Sequence, residues 1–155
     1  MELVDQSNPV LRQKAQAVTE FSESLNKLVN ELFLKLSTLE GVGLAAPQIG
    51  SSVAVAVIEY QRKDSDQDDK IIRDIPRTIL INPRITWASK DTDVQKEACF
   101  SLPKQEVEVS RFKKIHVEYQ DLTGKKAKLK AKGFFARVIQ HEIDHLNGIL
   151  ICDFK

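Results

Sequence analysis

Two histidines four residues apart, with a glutamate beside the first, lie in QHEIDHLNG (Gln140–Gly148), near the end of this 155-residue chain. On a helix, residues i and i+4 stand one above the other. His141 and His145 can therefore bind one metal ion while Glu142 stands close to its open side, the HExxH signature of a metallohydrolase. The pattern is short enough to arise on the surface of any amphipathic helix. Against that, the chain has only three histidines, and His141 and His145 continue the stripe of Phe134 and Val138 that would face a core. The spacing predicts a helix from about Phe134 to Asn147, stopped by Asn147-Gly148.

Two ligands do not hold a catalytic metal. The extended peptidase pattern HExxHxxGxxH is matched through Gly148, but Ile151 stands where its third histidine belongs. The sequence ends at Lys155, before a second helix could supply a glutamate. The third ligand is thus expected upstream or in the tail. His116 lies in the alternating KIHVEY, where an ordinary strand side chain accounts for it. Cys152 lies in ILICDFK, which reads as a short final strand. Cys99 lies in EACFSLP, which fits neither helix nor strand periodicity and reads as a site loop, so Cys99 is favoured.

A second unusual segment, GVGLAAPQIG (Gly41–Gly50), holds three of the six glycines. Gly41, Gly43 and Ala46 satisfy the G-x-G-x-x-A form of the dinucleotide fingerprint, which must follow a strand and open a helix. The order here is reversed. Leu25, Leu28, Val29, Leu32, Phe33 and Leu36 recur at helical spacing before it, and VAVAVIEY (Val53–Tyr60) reads as a strand after it. Pro47 also opposes a helix there. The glycines are better read as permitting close backbone approach to something bound, with Gln48 as the polar side chain that contacts it.

Taken in order, GVGLAAPQIG, EACFSLP and QHEIDHLNG resemble the three motifs of the peptide deformylase family, GxGLAAxQ, EGCLS and QHExDH. Agreement extends to NPVLRQKAQAV near the start, to LINP (Leu80–Pro83) and to the glycine before the last helix, and so spans nearly the whole chain. The resemblance implies a metal held by Cys99, His141 and His145, with water in the fourth position and Glu142 as general base and acid. It implies oxyanion donors from the Gln48 side-chain amide and the Phe100 backbone N–H. The implied reaction removes the N-formyl group from the amino-terminal formyl-methionine of nascent polypeptides, releasing formate. Gly43, Val42, Leu44, Phe134 and Val138 would bind the substrate, and Arg137 would sit at the rim with its charge in water. Glu97 and Arg111 would pair to support the cysteine loop. The resemblance points to ferrous iron, and zinc, nickel or cobalt suit the same donors. Ser101 has no base at a recognisable spacing and is not read as a nucleophile.

Three positions depart from the family pattern. Ala98 replaces a glycine and would strain the loop if φ > 0 were required there. Phe100 replaces a leucine, which should spare a backbone N–H but reshape the adjacent groove. The sequence also stops soon after the last motif, where many bacterial members continue into a further helix.

Length and a hydrophobic content of 42% fit one soluble domain with one core over 1–155; the family resemblance makes it a catalytic domain, expected to act as a monomer. A net charge of +1 gives no global pull toward DNA or membrane. KKAKLKAK (Lys125–Lys132) alternates as a strand with one lysine face would, a solvated edge by default and a transient ribosome contact as a second reading. MELVDQSNPV lacks an apolar signal region, and two cysteines make no disulfide framework, so a cytoplasmic location is expected. Arg62–Asp74 reads as a mobile polar loop. The fold expected is α+β: an early helix, antiparallel strands including Val53–Tyr60, Thr78–Asn82 and Lys114–Tyr119, and sheets wrapped around a central metal-binding helix. Two other functions remain open. A generic zinc metallopeptidase lacks its downstream ligand, and a silent homologue that binds modified amino termini would not require Glu142 and Gln48.

Overall fold

The computed structural model describes residues 1–67 and 69–154; positions 68, inside the Arg62–Asp74 segment, and 155 lie outside them. Helix α1 spans Glu23–Leu39 and buries Leu25, Val29, Leu32, Phe33 and Leu36 along one stripe, as their helical spacing requires. It ends at Glu40, in the left-handed region at φ 55. Strands β1 (Gly43–Ala45), β2 (Val55–Tyr60), β3 (Ile75–Ala88), β6 (Lys114–Gln120) and β7 (Lys126–Lys132) form an antiparallel sheet in the order β1-β2-β3-β6-β7. Strands β4 (Thr92–Cys99) and β5 (Leu102–Phe112) pair as a separate antiparallel hairpin. Helix α2 covers Gly133–Leu146. The architecture is α+β, with α2 between the sheet and the hairpin.

The first strands are covered on both sides, which explains why VAVI reads as an apolar run rather than an alternation. Val55 and Val57 pack with α1 in one core. Ile58 faces the other way, into a core with Val138, Ile139 and Ile143 of α2. Further along, the same sheet is covered on one side only. Ile115, Val117 and Ala131 turn inward to α2, while Lys126, Lys128, Lys130 and Lys132 alternate outward on the edge strand. A third core beneath the hairpin joins Leu102, Val107 and Val109 to Leu11 from one end of the chain and Leu150 and Ile151 from the other.

Two local expectations are corrected, and the loop after β2 carries a turn of its own. ILICDF is not a strand: Ile151–Phe154 form a 3-10 turn, because the Asp153 carboxylate accepts from the Leu150 N–H at 3.0 Å and pairs with Arg12 at 2.7 Å. EACFSLP is not a loop but the closed end of the β4–β5 hairpin, with the turn at Phe100–Ser101. Its mixed composition arises because Glu97–Phe100 line the cleft while Leu102 enters the core beneath the hairpin. The described part of Arg62–Asp74 carries its own structure. Arg62 donates to the carbonyls of Asp66 at 2.7 Å and Asp69 at 2.9 Å around a turn at Asp64–Asp66.

Gly148, just past α2, has φ +75, and a Cβ built there would lie 2.7 Å from the Arg12 carbonyl oxygen. Backbone conformation and space both require glycine. Gly148→Ala should destabilise the protein by more than about 1 kcal/mol. In a chain of this size each 1 kcal/mol lowers Tm by about 2–4 °C. An unchanged Tm in thermal unfolding would contradict this account.

Candidate metal centre

Helix α2 delivers His141 and His145 to one face, and the end of β4 delivers Cys99 to the same point. One ligand atom from each lies within 4.8 Å of the other two. Cys99 Sγ stands 3.3 Å from His145 Nε2. Cys99 and His145 are buried and His141 is nearly so. His116 and Cys152, the other ligands weighed from sequence, lie elsewhere: His116 stacks on Trp87 with ring centroids 4.6 Å apart, and Cys152 lies beside Arg12.

The donors suit a divalent cation by the chemistry of their surroundings. His141 Nδ1 donates to Glu97 Oε1 at 2.9 Å, which leaves Nε2 as the nitrogen for a metal. Burial works against the charged ring, but the hydrogen bonds to Cys99 and Glu97 outweigh it and raise the imidazole to about 10, so a metal ion would take the place of the Nε2 proton. Burial pulls His145 well below the ordinary imidazole range, helped by nearby His141, so it is neutral and able to ligate. One thiolate and two imidazoles suit zinc, iron, cobalt or nickel.

Glu97 holds this arrangement together. Arg111 donates to both of its oxygens, each at 2.9 Å, and Arg137 donates to Oε2 at 2.6 Å. Burial pushes the Glu97 carboxyl up, but the bonds from Arg111 and His141 outweigh it and hold the group far below the usual carboxylate range. Arg111 reaches on to Asp144 of α2. Arg137 is not a rim residue in water. It is 8% exposed, and donates also to the carbonyls of Val109 at 2.9 Å and Asp93 at 2.6 Å. Glu97 alone on one strand and two arginines scattered over β5 and α2 gave no spacing by which the whole cluster could be read. Gln140 is a further residue without a sequence-derived role. Its amide accepts from the Phe112 N–H at 3.0 Å and donates to the Phe112 carbonyl at 2.9 Å, so it ties α2 to the hairpin.

A cleft of about 370 Å3 opens onto the donors, lined by Val42, Gly43, Gln48, Phe100, Phe134 and Val138 among others. Glu142 lines it too. Glu142 is 3% exposed, with Oε2 lacking a hydrogen-bond partner among the described residues, and burial pushes its carboxyl up to about 7. A Cβ on Gly43 would lie 2.6 Å from Glu142 Oε1, so glycine lets the carboxyl rest against β1. Gln48 accepts from the Ala45 N–H at 3.0 Å, which fixes the amide so that Nε2 stands 3.6 Å from Cys99 Sγ and 3.5 Å from Ser101 Oγ. The Phe100 ring lies over Gly41, where a Cβ would be only 2.3 Å from its Cζ. Leu44 does not line the cleft. Strand alternation on β1 points Gly43 at Glu142 and Leu44 into the α1 core, where it is fully buried. Ala98 lies in the extended backbone of β4 without strain, and the positive φ of this hairpin falls on Lys104, at 65.

Such a site serves hydrolysis assisted by a divalent cation, and places the chain among the metallohydrolases. The family model for polypeptide deformylase matches residues 1–154. A curated peptide deformylase of Orientia tsutsugamushi strain Ikeda is 36% identical over 155 residues, covering 99% of this chain and 86% of the relative. The crystal structure of peptide deformylase from Thermotoga maritima superposes with a TM-score of 0.87 at 37% identity, covering 98% of this chain and 95% of that one. A Met-Ala-Ser-bound peptide deformylase from Acinetobacter baumannii gives 0.92 at 28% identity, covering 99% and 96%. The chain belongs to the polypeptide deformylase family.

Because Glu97 neutralises two buried arginines and orients His141, Glu97→Gln should cost about 3–5 kcal/mol of stability. It should also weaken metal binding about 10–100-fold. Competition against a chelator measures the second effect. Retained affinity in the folded variant would show that Glu97 does not support His141.

Proposed function

We propose that this chain hydrolyses the N-formyl group of formyl-methionine at the amino terminus of nascent polypeptides, giving formate and a free amine. The carrying observation is the meeting of Cys99, His141 and His145 within 4.8 Å in a cleft that also holds Glu142 and Gln48. Met-Ala-Ser, bound to the Acinetobacter baumannii relative, is the peptide that deformylation of its formylated form would leave.

In this reading Cys99, His141 and His145 hold one divalent ion, ferrous iron in the cell, with zinc, nickel and cobalt able to use the same donors. When bound, the ion polarises water and makes hydroxide available near neutral pH. Glu142 takes the proton of the attacking water and passes it to the leaving amine, a role suited to a carboxyl poised near 7. The Gln48 amide, aimed by the Ala45 N–H, donates to the oxygen that becomes negative in the tetrahedral intermediate, and the Phe100 N–H supplies a second donor. Val42, Phe134 and Val138 receive the methionine side chain, and Gly43 lets the substrate backbone approach. Phe100 closes the groove with its ring while its catalytic contribution comes from the backbone. The described residues include no helix long and apolar enough to cross a membrane. In this reading the chain is one catalytic domain that works as a cytoplasmic monomer.

Protein prepared anaerobically with ferrous iron or nickel should release formate from formyl-Met-Ala-Ser. Full metal occupancy without release would favour a silent homologue that binds modified amino termini. Gln48→Ala should lower kcat by about 100- to 1,000-fold with a smaller change in KM, and an unchanged kcat would remove Gln48 from the mechanism. Glu142→Gln should abolish turnover while metal content, measured by elemental analysis, stays at wild-type level.

A further inference from the structure

The outer face of the five-stranded sheet is turned away from α2 and the metal cleft. Its cross-strand register pairs Lys114 with Lys132, His116 with Lys130, Glu118 with Lys128 and Gln120 with Lys126. On β3, Trp87 pairs with His116 and Arg84 with Glu118. The side chains of this face are thus five lysines, one arginine and a single carboxylate around one aromatic stack. Glu118 is already engaged, by Arg84 at 2.7 Å and Lys128 at 3.7 Å. Among the described residues, Lys114, Lys126, Lys130 and Lys132 make no ion pair with a carboxylate.

Lysines on an edge strand discourage the addition of another strand, and that alone could account for β7. It does not account for Trp87. The only tryptophan in the chain is 47% exposed among these cations, with its ring tilted 37° against His116. A chain with a net charge of +1 has gathered cations here around an open indole. Successive lysines on β7 recur at about 6.8 Å, a row of positive charge beside an aromatic platform. Binding of unpaired nucleic acid uses these two components: cations for the phosphates and a ring for a base.

We infer that this face binds single-stranded RNA, with a base stacked on Trp87 and phosphates on the lysines of β7 and on Lys114. The choice of RNA rests on the nascent-peptide reading, since that substrate emerges from a machine built largely of RNA. The surface itself is independent of the metal site. Removing its side chains leaves the inward residues Ile115, Val117 and Ala131 in place.

Trp87 supplies its own probe. Titration of the metal-loaded protein with a short oligoadenylate at low salt should quench the tryptophan fluorescence. Engagement of the four β7 lysines and Lys114 predicts that log K falls against log salt with a slope of about −3.5. Lys130→Gln with Lys132→Gln should reduce that slope by about 1.4. By anisotropy of a labelled oligonucleotide, Trp87→Ala should bind about 5- to 150-fold more weakly, while Trp87→Phe keeps most of the affinity. Formate release from formyl-Met-Ala-Ser should be the same in all these variants, which separates this surface from the deformylase reading. Absence of quenching at low salt, Trp87→Ala binding as tightly as the parent, or tighter binding of duplex than of single-stranded RNA would each overturn the proposal.

Discussion

A carboxylate removed from water must be met by donors on every side, and Glu97 receives two on each oxygen: Arg111 and His141 on one, Arg111 and Arg137 on the other. Those donors come from β5 and α2, while Glu97 itself belongs to β4. The hairpin and the helix are therefore joined through one buried charge, and two of the groups that meet at the centre, Cys99 and His141, lie on opposite sides of that junction. Pairs of this kind are weak devices for stability, because desolvation offsets much of the attraction. Their effect here is positional. Loss of any donor would leave charge unmatched in the interior, so a small change in the angle between hairpin and helix is penalised.

Close approach of backbone to side chain completes the cleft. At Gly43 the absent Cβ makes room for the Glu142 carboxyl, and at Gly41 for the Phe100 ring. Both glycines belong to one three-residue stretch, which runs between the end of α1 and the short turn that carries Gln48. The two glycines thus make room for a carboxyl and an aromatic wall without contributing a side-chain atom. Gln48 is set by the same economy: the amide oxygen is fixed by Ala45, and the donor end has nowhere to point but toward Cys99 and Ser101.

The five-stranded sheet shows how covering an element changes its sequence. Where α1 and α2 both lie on it, β2 is apolar at four consecutive positions. Where only α2 lies on it, β6 and β7 alternate, and the outward set carries lysines with Trp87 among them. The cationic face and the Cys99, His141 and His145 cluster therefore lie on opposite sides of one sheet.

Periodicity made much of this legible. The stripes of α1 and α2, the alternation of β7, the apolar run of β2 and the glycine stop after α2 are local patterns that depend only on residue spacing. The four-residue spacing of His141 and His145 likewise put both imidazoles on one helical face, where they meet Cys99. Tertiary structure alone decided what met across distance. Leu44 was placed in the α1 core because β1 alternates between two covered faces. Arg137 was drawn inward because Glu97 had an oxygen to fill. EACFSLP became a hairpin end, and ILICDF coiled rather than extended because Asp153 offered its carboxylate to Leu150. Sequence spacing reports which face of an element a residue occupies. It carries no record of which other element will present a charge, a donor or a gap to that face, since that depends on chain folding between residues far apart in order.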